Sequence, residues 1–388
     1  MNRMNTDISI DIWTSLKSFK AEMLEFLKTL VTMESPTEGH GHNKRVLEYI
    51  SSFLKNIGYE VSYTEGKVSG GYIIAYPRKR KKHQLNQLLI GHCDTVWPLN
   101  TLESMPYVMK KQMIRGPGVY DMKAGLTQVC YSLKYLFDHD ITPPLTPLVL
   151  INSDEERGSR DSTLAIRRLA KISERAFVME PPLGLDGKLK TERKGLGRFT
   201  IAIQGKSAHA GLDPGKGASA ILELSHQIQK LFALNDLQKG ITINVGMIEG
   251  GTNPNVVAQE AKAVIDVRVL TMNDGQYIED QIRNLKPINS DTTVVVEGRF
   301  GRPPMEKTVR NQKLWMAAKK VGKTIGLDLE EGTAGGGSDG NTTSLFTATL
   351  DGLGTTGDGA HAHHEFIYTD ALIERTALLT SLLLLKES

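Results

Sequence analysis

Three apolar runs in this chain each end in side chains that bind metals or move protons. Leu88-Leu89-Ile90 leads to Gly91-His92-Cys93-Asp94, Leu148-Val149-Leu150-Ile151 leads to Asp154-Glu155-Glu156, and Phe177-Val178-Met179 leads to Glu180-Pro181-Pro182. His92 and Asp94 are two apart, so in extended chain they share a face. Asp121 closes the stretch Gly116-Pro117-Gly118-Val119-Tyr120 and precedes a helical pattern. Singly, each residue has a plainer reading. Asp121 suits a helix N-cap, Glu155 and Glu156 a solvated acidic loop, His92 a structural histidine, and Glu180 a loop ahead of two prolines. Four element ends with one chemical theme are hard to explain by four separate plain readings.

As a set they have the composition of a two-metal site. Imidazole nitrogen and carboxylate oxygen without thiolate suit zinc. For two Zn2+ ions, Asp121, Glu156 and Glu180 offset three of the four positive charges and a bridging hydroxide offsets the last. Glu155 stands beside a ligand without being one, which suits a group that takes a proton from water. Each metal calls for a histidine, and the second comes from His361, His363 or His364, among which spacing does not choose. Nucleotide motifs fail by single positions. Gly205-Lys206-Ser207 has Thr200 where a P-loop needs its first glycine, and Gly116-Pro117-Gly118 has Asp121 where a dinucleotide fingerprint needs its third. No His-Glu-x-x-His segment occurs, and Cys93 and Cys130 lack a Cys-x-x-Cys partner, so Cys93 reads as buried filler.

Such groups need a scaffold that delivers strand ends to one rim, and open α/β sheets do this at the carboxyl ends of their strands. Leu16, Phe19, Met23, Leu27 and Leu30 predict a helix over 16–31, and Val46, Leu47, Ile50, Phe53, Leu54 and Ile57 a second, stopped by Gly58. Strands are expected over 59–63, 72–76, 88–90, 148–151 and 177–179, with a helix marked by Val129, Leu133 and Leu136. This alternation predicts an α/β catalytic domain with a mixed, largely parallel sheet flanked by helices. Over 194–304 the order becomes βαββαβ, the split ferredoxin-like unit. The α/β pattern then resumes with a helix over 314–325 and a strand over 348–350. The expected organisation is a catalytic domain of residues 1–193 and 305–388, interrupted by an inserted domain of residues 194–304.

Composition narrows the classes. A length of 388 residues exceeds what one core usually reaches, in agreement with two domains. With 40% hydrophobic and 23% charged residues the chain is neither disordered nor fibrous. A balance of 47 basic against 44 acidic residues is too even to imply a nucleic-acid partner. The charge run Arg78-Lys79-Arg80-Lys81-Lys82 has no interleaved aromatics and reads as a solvated loop. No apolar run of about 18 residues occurs, so no membrane-spanning helix is expected. Residues 1–11 hold Arg3, Asp7 and Asp11 without an apolar signal segment, and two cysteines make no disulfide framework, so a cytoplasmic location is expected.

The motifs Gly91-His92-Cys93-Asp94-Thr95-Val96, Gly116 through Gly125, Ser153-Asp154-Glu155-Glu156 and Gly335-Gly336-Gly337-Ser338-Asp339 stand in a specific order. From about residue 20 onward the chain resembles the co-catalytic dizinc metallopeptidases. That family includes glutamate carboxypeptidase of the carboxypeptidase G type, acetylornithine deacetylase, succinyl-diaminopimelate desuccinylase and peptidase T. The resemblance implies His92 and Glu180 on one zinc, Glu156 and His361 on the other, and Asp121 between them, with Co2+ or Mn2+ as substitutes. His361 is favoured because the family often places this ligand four residues before a glutamate, here Glu365. Asp94 would orient His92, Glu155 would be general base and then acid, and the peptide bond after Asp121 would be cis.

The inserted domain resembles the family's lid, which also dimerises. His209, in Gly205-Lys206-Ser207-Ala208-His209-Ala210-Gly211, matches a lid histidine that reaches the partner subunit's site and stabilises the oxyanion. Asn255 and Arg268 match substrate-binding lid positions, and Arg302 matches the glutamate-carboxypeptidase branch, where arginine grips a carboxylate with its planar fork. Gly336, Gly337 and Ser338, in Gly335-Gly336-Gly337-Ser338-Asp339, would bring backbone amides close to a substrate carboxylate. The branch more often carries threonine at Ser338, and the His363-His364 pair is unusual there. The expected protein is a homodimeric dizinc metallo-carboxypeptidase or amidohydrolase that cuts an amide bond beside a free carboxylate. A small peptide ending in an acidic or small residue is the expected substrate. The alternatives are an N-acyl amino-acid deacylase with the same machinery and a non-catalytic metal-binding protein on the same fold. Neither nucleic acid nor membrane is expected as a partner.

Overall fold

Residues 12–386 are described by the computed structural model; residues 1–11, read above for an export signal, lie outside the described residues. The chain divides into two units. One comprises Met1–Thr191, Lys307–Ala334 and Ser338–Ser388, and the other Glu192–Glu306 with Gly335–Gly337.

The first unit is built on a six-stranded sheet. Its strands are β1 (Tyr59–Thr64), β2 (Tyr72–Pro77), β3 (Asn86–His92), β4 (Thr146–Asn152), β5 (Ser173–Val178) and Ala348–Leu350. They lie in the order β1-β2-β4-β3-β5 and then Ala348–Leu350. β3, β4, β5 and Ala348–Leu350 run parallel, and β1 and β2 pair antiparallel at one edge. The strands read as continuous apolar runs because both faces are covered. Leu89, Val149, Ile151 and Phe177 belong to one core, which includes Val129 and Leu133 of the helix Ala124–Asp138 and Leu372 and Leu379 of Thr369–Leu383. Leu88, Ile90, Leu148, Leu150, Ala176 and Val178 belong to the opposite core, with Ile166 and Leu169 of the helix Thr163–Lys171. The helix His40–Asn56 ends as expected at Gly58, whose φ of 80° is the left-handed geometry that glycine tolerates. The helix expected over 16–31 is interrupted at Phe19, before Lys20–Thr32. There the Phe19 ring meets the Tyr131 ring edge-on at 6.2 Å.

The second unit follows the βαββαβ order. Strands β6 (Gly195–Gln204), β7 (Thr242–Gly250), β8 (Glu260–Val269) and β9 (Thr293–Arg302) form an antiparallel sheet ordered β7-β8-β6-β9. The helices Ala220–Phe232 and Met272–Arg283 cover one face through Leu224, Leu231, Ile278 and Ile282. Each helix starts on a hydroxyl cap: Ser219 accepts from the Leu222 N–H and Thr271 from the Asp274 N–H.

Candidate metal centre

The parallel strands of the first unit bring their carboxyl ends together. His92 is the last residue of β3 and pairs with Asn152 at the end of β4, after which the chain turns through Glu155–Arg157. Ile90 pairs with Val178 in parallel register, so Glu180, two residues past Val178, falls level with His92, two residues past Ile90. Asp121 reaches the same rim on the loop before Ala124–Asp138. Two glycines let that loop and helix lie against the strand ends. A Cβ on Gly91 would stand 2.6 Å from Met122 Cε, and one on Gly125 would stand 2.3 Å from the Met179 carbonyl oxygen. The Asp121–Met122 peptide bond is cis.

Two ligand-like groups result, and they share one residue. His92, Asp121 and Glu180 form the first, and Asp121, Glu156 and His361 the second. His92 Nε2 lies 3.2 Å from Asp121 Oδ1 and 3.4 Å from Glu180 Oε1. His361 Nε2 lies 3.5 Å from Asp121 Oδ2 and 3.2 Å from Glu156 Oε2. Asp121 therefore turns one carboxylate oxygen toward each imidazole. Of the three histidines that spacing leaves open, His361 meets the carboxylates, whereas the exposed His363 ring lies 5.1 Å from that of Trp97.

Asp94 is fully buried and fixes both halves of this arrangement. His92 Nδ1 lies 3.0 Å from the Asp94 carbonyl oxygen and 3.4 Å from its Oδ1. A proton on Nδ1 donated there leaves the Nε2 lone pair facing Asp121 and Glu180. The Asp94 carboxylate accepts from Thr37 Oγ1 at 2.8 Å and from the backbone N–H groups of Glu155 and Glu156 at 3.3 and 3.2 Å. It thus orients the turn that carries the expected base as well as the histidine.

The donor set fits divalent cations. His92 Nε2, Asp121 Oδ1 and Glu156 Oε1 are buried and satisfied by no hydrogen bond, an expensive state for polar atoms unless a cation completes them. The electrostatics carry the same demand. Burial disfavours a charged His92, yet Asp121, Asp94 and Glu180 beside it hold its pKa well above the usual histidine range. Burial pushes Asp121 upward, while His361 and His92 hold it well below the usual carboxylate range. Burial pushes Glu156 up to about 7, and hydrogen bonding to Asp121 and Glu156 raises His361 to about 10. Buried acids are here drawing positive charge onto every neighbouring imidazole. Cys93 is buried next to this cluster with its thiol pushed upward by burial, in keeping with an inert filler.

Glu365, which the sequence offers only as a spacing landmark, is fully buried at this rim. Its Oε1 accepts from the N–H groups of Tyr120 and Asp121 at 2.8 and 3.0 Å, and its Oε2 from Gly118 N–H and Trp97 Nε1 at 2.9 and 3.1 Å. Ser338, expected among the substrate-binding residues, is fully buried and its hydroxyl is used internally. Its Oγ donates to Asp351 Oδ2 at 2.6 Å and accepts from the Gly340 N–H at 2.9 Å, capping the helix Asp339–Thr343. A serine ahead of a helix is favoured as an N-cap, and that local demand takes the hydroxyl here.

Within the second unit the expected substrate-binding residues fall into two groups. Leu196 of β6 pairs with Arg268 on one side and Arg302 on the other, so both arginines sit at one end of the sheet. Arg268 Nη1 donates to the Gly335 carbonyl at 2.8 Å, Arg193 Nη1 donates to the Gly336 carbonyl at 3.0 Å, and a Cβ on Gly337 would lie 3.1 Å from Arg302 Cδ. His209 and Asn255 lie past the other end, where Gln204 pairs with Glu260 and Thr293. There His209 bridges to Val256, and the Ala210 N–H donates to the Asn255 carbonyl at 3.0 Å. Both side chains are exposed, and His209 Nδ1 accepts from the N–H groups of Gly211 and Leu212. The run Arg78 to Lys82 occupies an exposed loop, with the Arg80 guanidinium 4.5 Å over the Tyr76 ring.

Residues 191–286 match the peptidase dimerisation domain of the M20 family. The chain is 28% identical over 374 residues to carboxypeptidase G2 of Pseudomonas sp. strain RS-16, covering 93% of this chain and 88% of that one. Its fold is that of aminopeptidase PepT from Bacillus cereus, with a TM-score of 0.79 at 21% identity over 94% of this chain and 98% of the other. It also matches the Bacillus subtilis YXEP protein, described as a dinuclear metal binding peptidase from the M20 family, with a TM-score of 0.71 at 14% identity over 95% and 98% of the two chains. The chain thus carries an M20 peptidase dimerisation domain on the mixed, mostly parallel α/β fold of M20 metallopeptidases. It is a homologue of carboxypeptidase G2.

Proposed function

We propose that this chain is a dizinc hydrolase that cleaves an amide bond beside a free carboxylate, acting as a glutamate-carboxypeptidase-like exopeptidase on small peptides. The observation that carries the reading is the pair of His-carboxylate groups that share Asp121. His92 and Glu180 would hold one ion, Glu156 and His361 the other, and Asp121 both. Two zinc ions bound there would supply Lewis acidity and lower the pKa of water toward neutrality. Glu155, held by its N–H on Asp94, takes the proton from the attacking water and returns it to the leaving amine. Arg268 and Arg302, gathered at one sheet end with the Gly335–Gly337 backbone, suit a bidentate grip on the free carboxylate.

The lid geometry supports a homodimer in which sites are completed across subunits. Eight residue steps of β6 separate Leu196 from Gln204, about 27 Å of extended strand. A small substrate gripped by Arg268 and Arg302 is out of reach of His209 and Asn255 on the same lid. His209 stabilising the oxyanion therefore belongs to the partner's site in this reading. Exposed Met247 and Ile248 on the β7 edge and exposed Ile221 and Leu222 on the neighbouring helix offer an apolar face for pairing.

The zinc-loaded protein should release the C-terminal residue from dipeptides ending in glutamate, aspartate or alanine, measured against a panel of N-acetyl amino acids. Cleavage confined to the N-acetyl compounds would replace the carboxypeptidase reading with a deacylase. Cleavage that survives full chelation would remove the metal reading.

A further inference from the structure

We infer that Glu365 is a positioning residue for the proposed metal pair, holding the Asp121 loop so that one carboxylate can serve both histidine groups. The inference rests on the metal reading above and extends it to a residue outside either ligand group. A carboxylate offers about four lone-pair sites, and Glu365 fills all four with N–H donors from Gly118, Tyr120, Asp121 and Trp97. No lone pair is left for a cation, so Glu365 is not itself a ligand. The donors come from two separate segments, and Glu365 supplies a third. Trp97 follows His92 by five residues, the Gly118–Asp121 loop carries the shared carboxylate, and Glu365 follows His361 by four. One side chain thus ties together the segments that bear His92, Asp121 and His361.

The Asp121 contact is the most direct of these bonds. Its N–H donates to Oε1 at 3.0 Å, which fixes the peptide plane from which the Asp121 side chain leaves. The Tyr120 N–H shares that oxygen at 2.8 Å, so the loop is held at two consecutive residues. Only an ionised carboxylate accepts four N–H groups. A glutamine of the same shape offers one oxygen and turns an NH2 group against two donors. Loss of such supporting hydrogen bonds around a metal ligand typically lowers metal affinity about 10–100-fold.

The test titrates metal-stripped wild-type, Glu365→Gln and Glu365→Asp proteins with zinc by calorimetry. It also records thermal unfolding of the metal-free proteins and peptide cleavage at limiting and excess zinc. Wild type is expected to take up two ions. Both variants should bind the weaker ion about 10–100-fold less tightly. Metal-free melting should fall in both variants, because buried N–H donors lose their acceptor, and excess zinc should restore kcat with KM unchanged, a rescue that a merely structural lesion would not show. A folded variant that takes up both ions with wild-type affinity overturns the inference. Should Glu365→Gln fail to fold, Glu365→Asp decides, because it keeps the charge but is too short to span all four donors. Wild type that binds two ions and cleaves no amide defeats the hydrolase reading alone, and the titration still decides the role of Glu365. Wild type that binds no ion overturns both.

Discussion

Asp121 holds one oxygen toward His92 and the other toward His361, and the protons on this cluster compete with any cation that enters it. In the metal-free protein His361 titrates at about 10 and Glu156 at about 7, so at neutral pH the first carries a proton and the second carries part of one. Asp121 is held far below that range and is already ionised. A cation must displace the protons, because ligands bind deprotonated. Zinc uptake near pH 7 should therefore release protons, and apparent affinity should fall as pH drops below about 10 and more steeply below about 7. Calorimetry in buffers of different ionisation enthalpy measures this directly. Heats that do not depend on the buffer would contradict the assignment of His361 and Glu156.

At the scale of elements, the site depends on strand ends and on glycines that let other segments approach them. Gly125 is the sharpest case, since a Cβ there would stand 2.3 Å from the Met179 backbone oxygen, which cannot swing aside as a side chain would. Gly125→Ala should destabilise the protein by about 1–3 kcal/mol, as overpacking does, and should weaken binding in the Glu180 group that follows Met179. Gly41→Ala is the control: a helical position with nothing within 4 Å of the added methyl, expected to leave melting unchanged or slightly raised. Equal melting of the two variants would refute the close-approach argument. The strands themselves were legible as apolar runs, because burial on both faces removes alternation. The break at Phe19 and the capping duty of Ser338 were not. At the first the Phe19 ring meets Tyr131, and at the second Ser338 bonds Asp351, long-range contacts that periodicity does not reveal.

At the scale of the whole molecule, the sheet of the second unit separates the two expected substrate-binding groups by its own length. Arg268 and Arg302 mark one end, His209 and Asn255 lie beyond the other, and a hydrogen-bonded sheet does not fold back on itself. Complementation tests the consequence. Glu155→Ala chains and His209→Ala chains should each be silent alone, the first while keeping both ions. Equal amounts allowed to exchange subunits should form about half mixed dimers, each with one complete site, and recover about a quarter of wild-type activity. No recovery in verified mixed dimers would return His209 to its own subunit's site.

The residue types alone determined the chemistry available, since buried strand ends bearing His92, Glu156 and Glu180, with Asp121 on a glycine-rich loop, are written in local sequence. The βαββαβ order of the inserted segment was equally local, because helix and strand periods are set by nearest neighbours along the chain. Tertiary structure decided which groups meet. It set His361, one of three candidate histidines, against Asp121 and Glu156, gave Asp94 the Glu155–Glu156 turn as well as His92, and gave Glu365 its four donors. The Asp121 and Glu365 partners are 244 residues apart, and no local pattern encodes a contact made only when the sheet closes its rim.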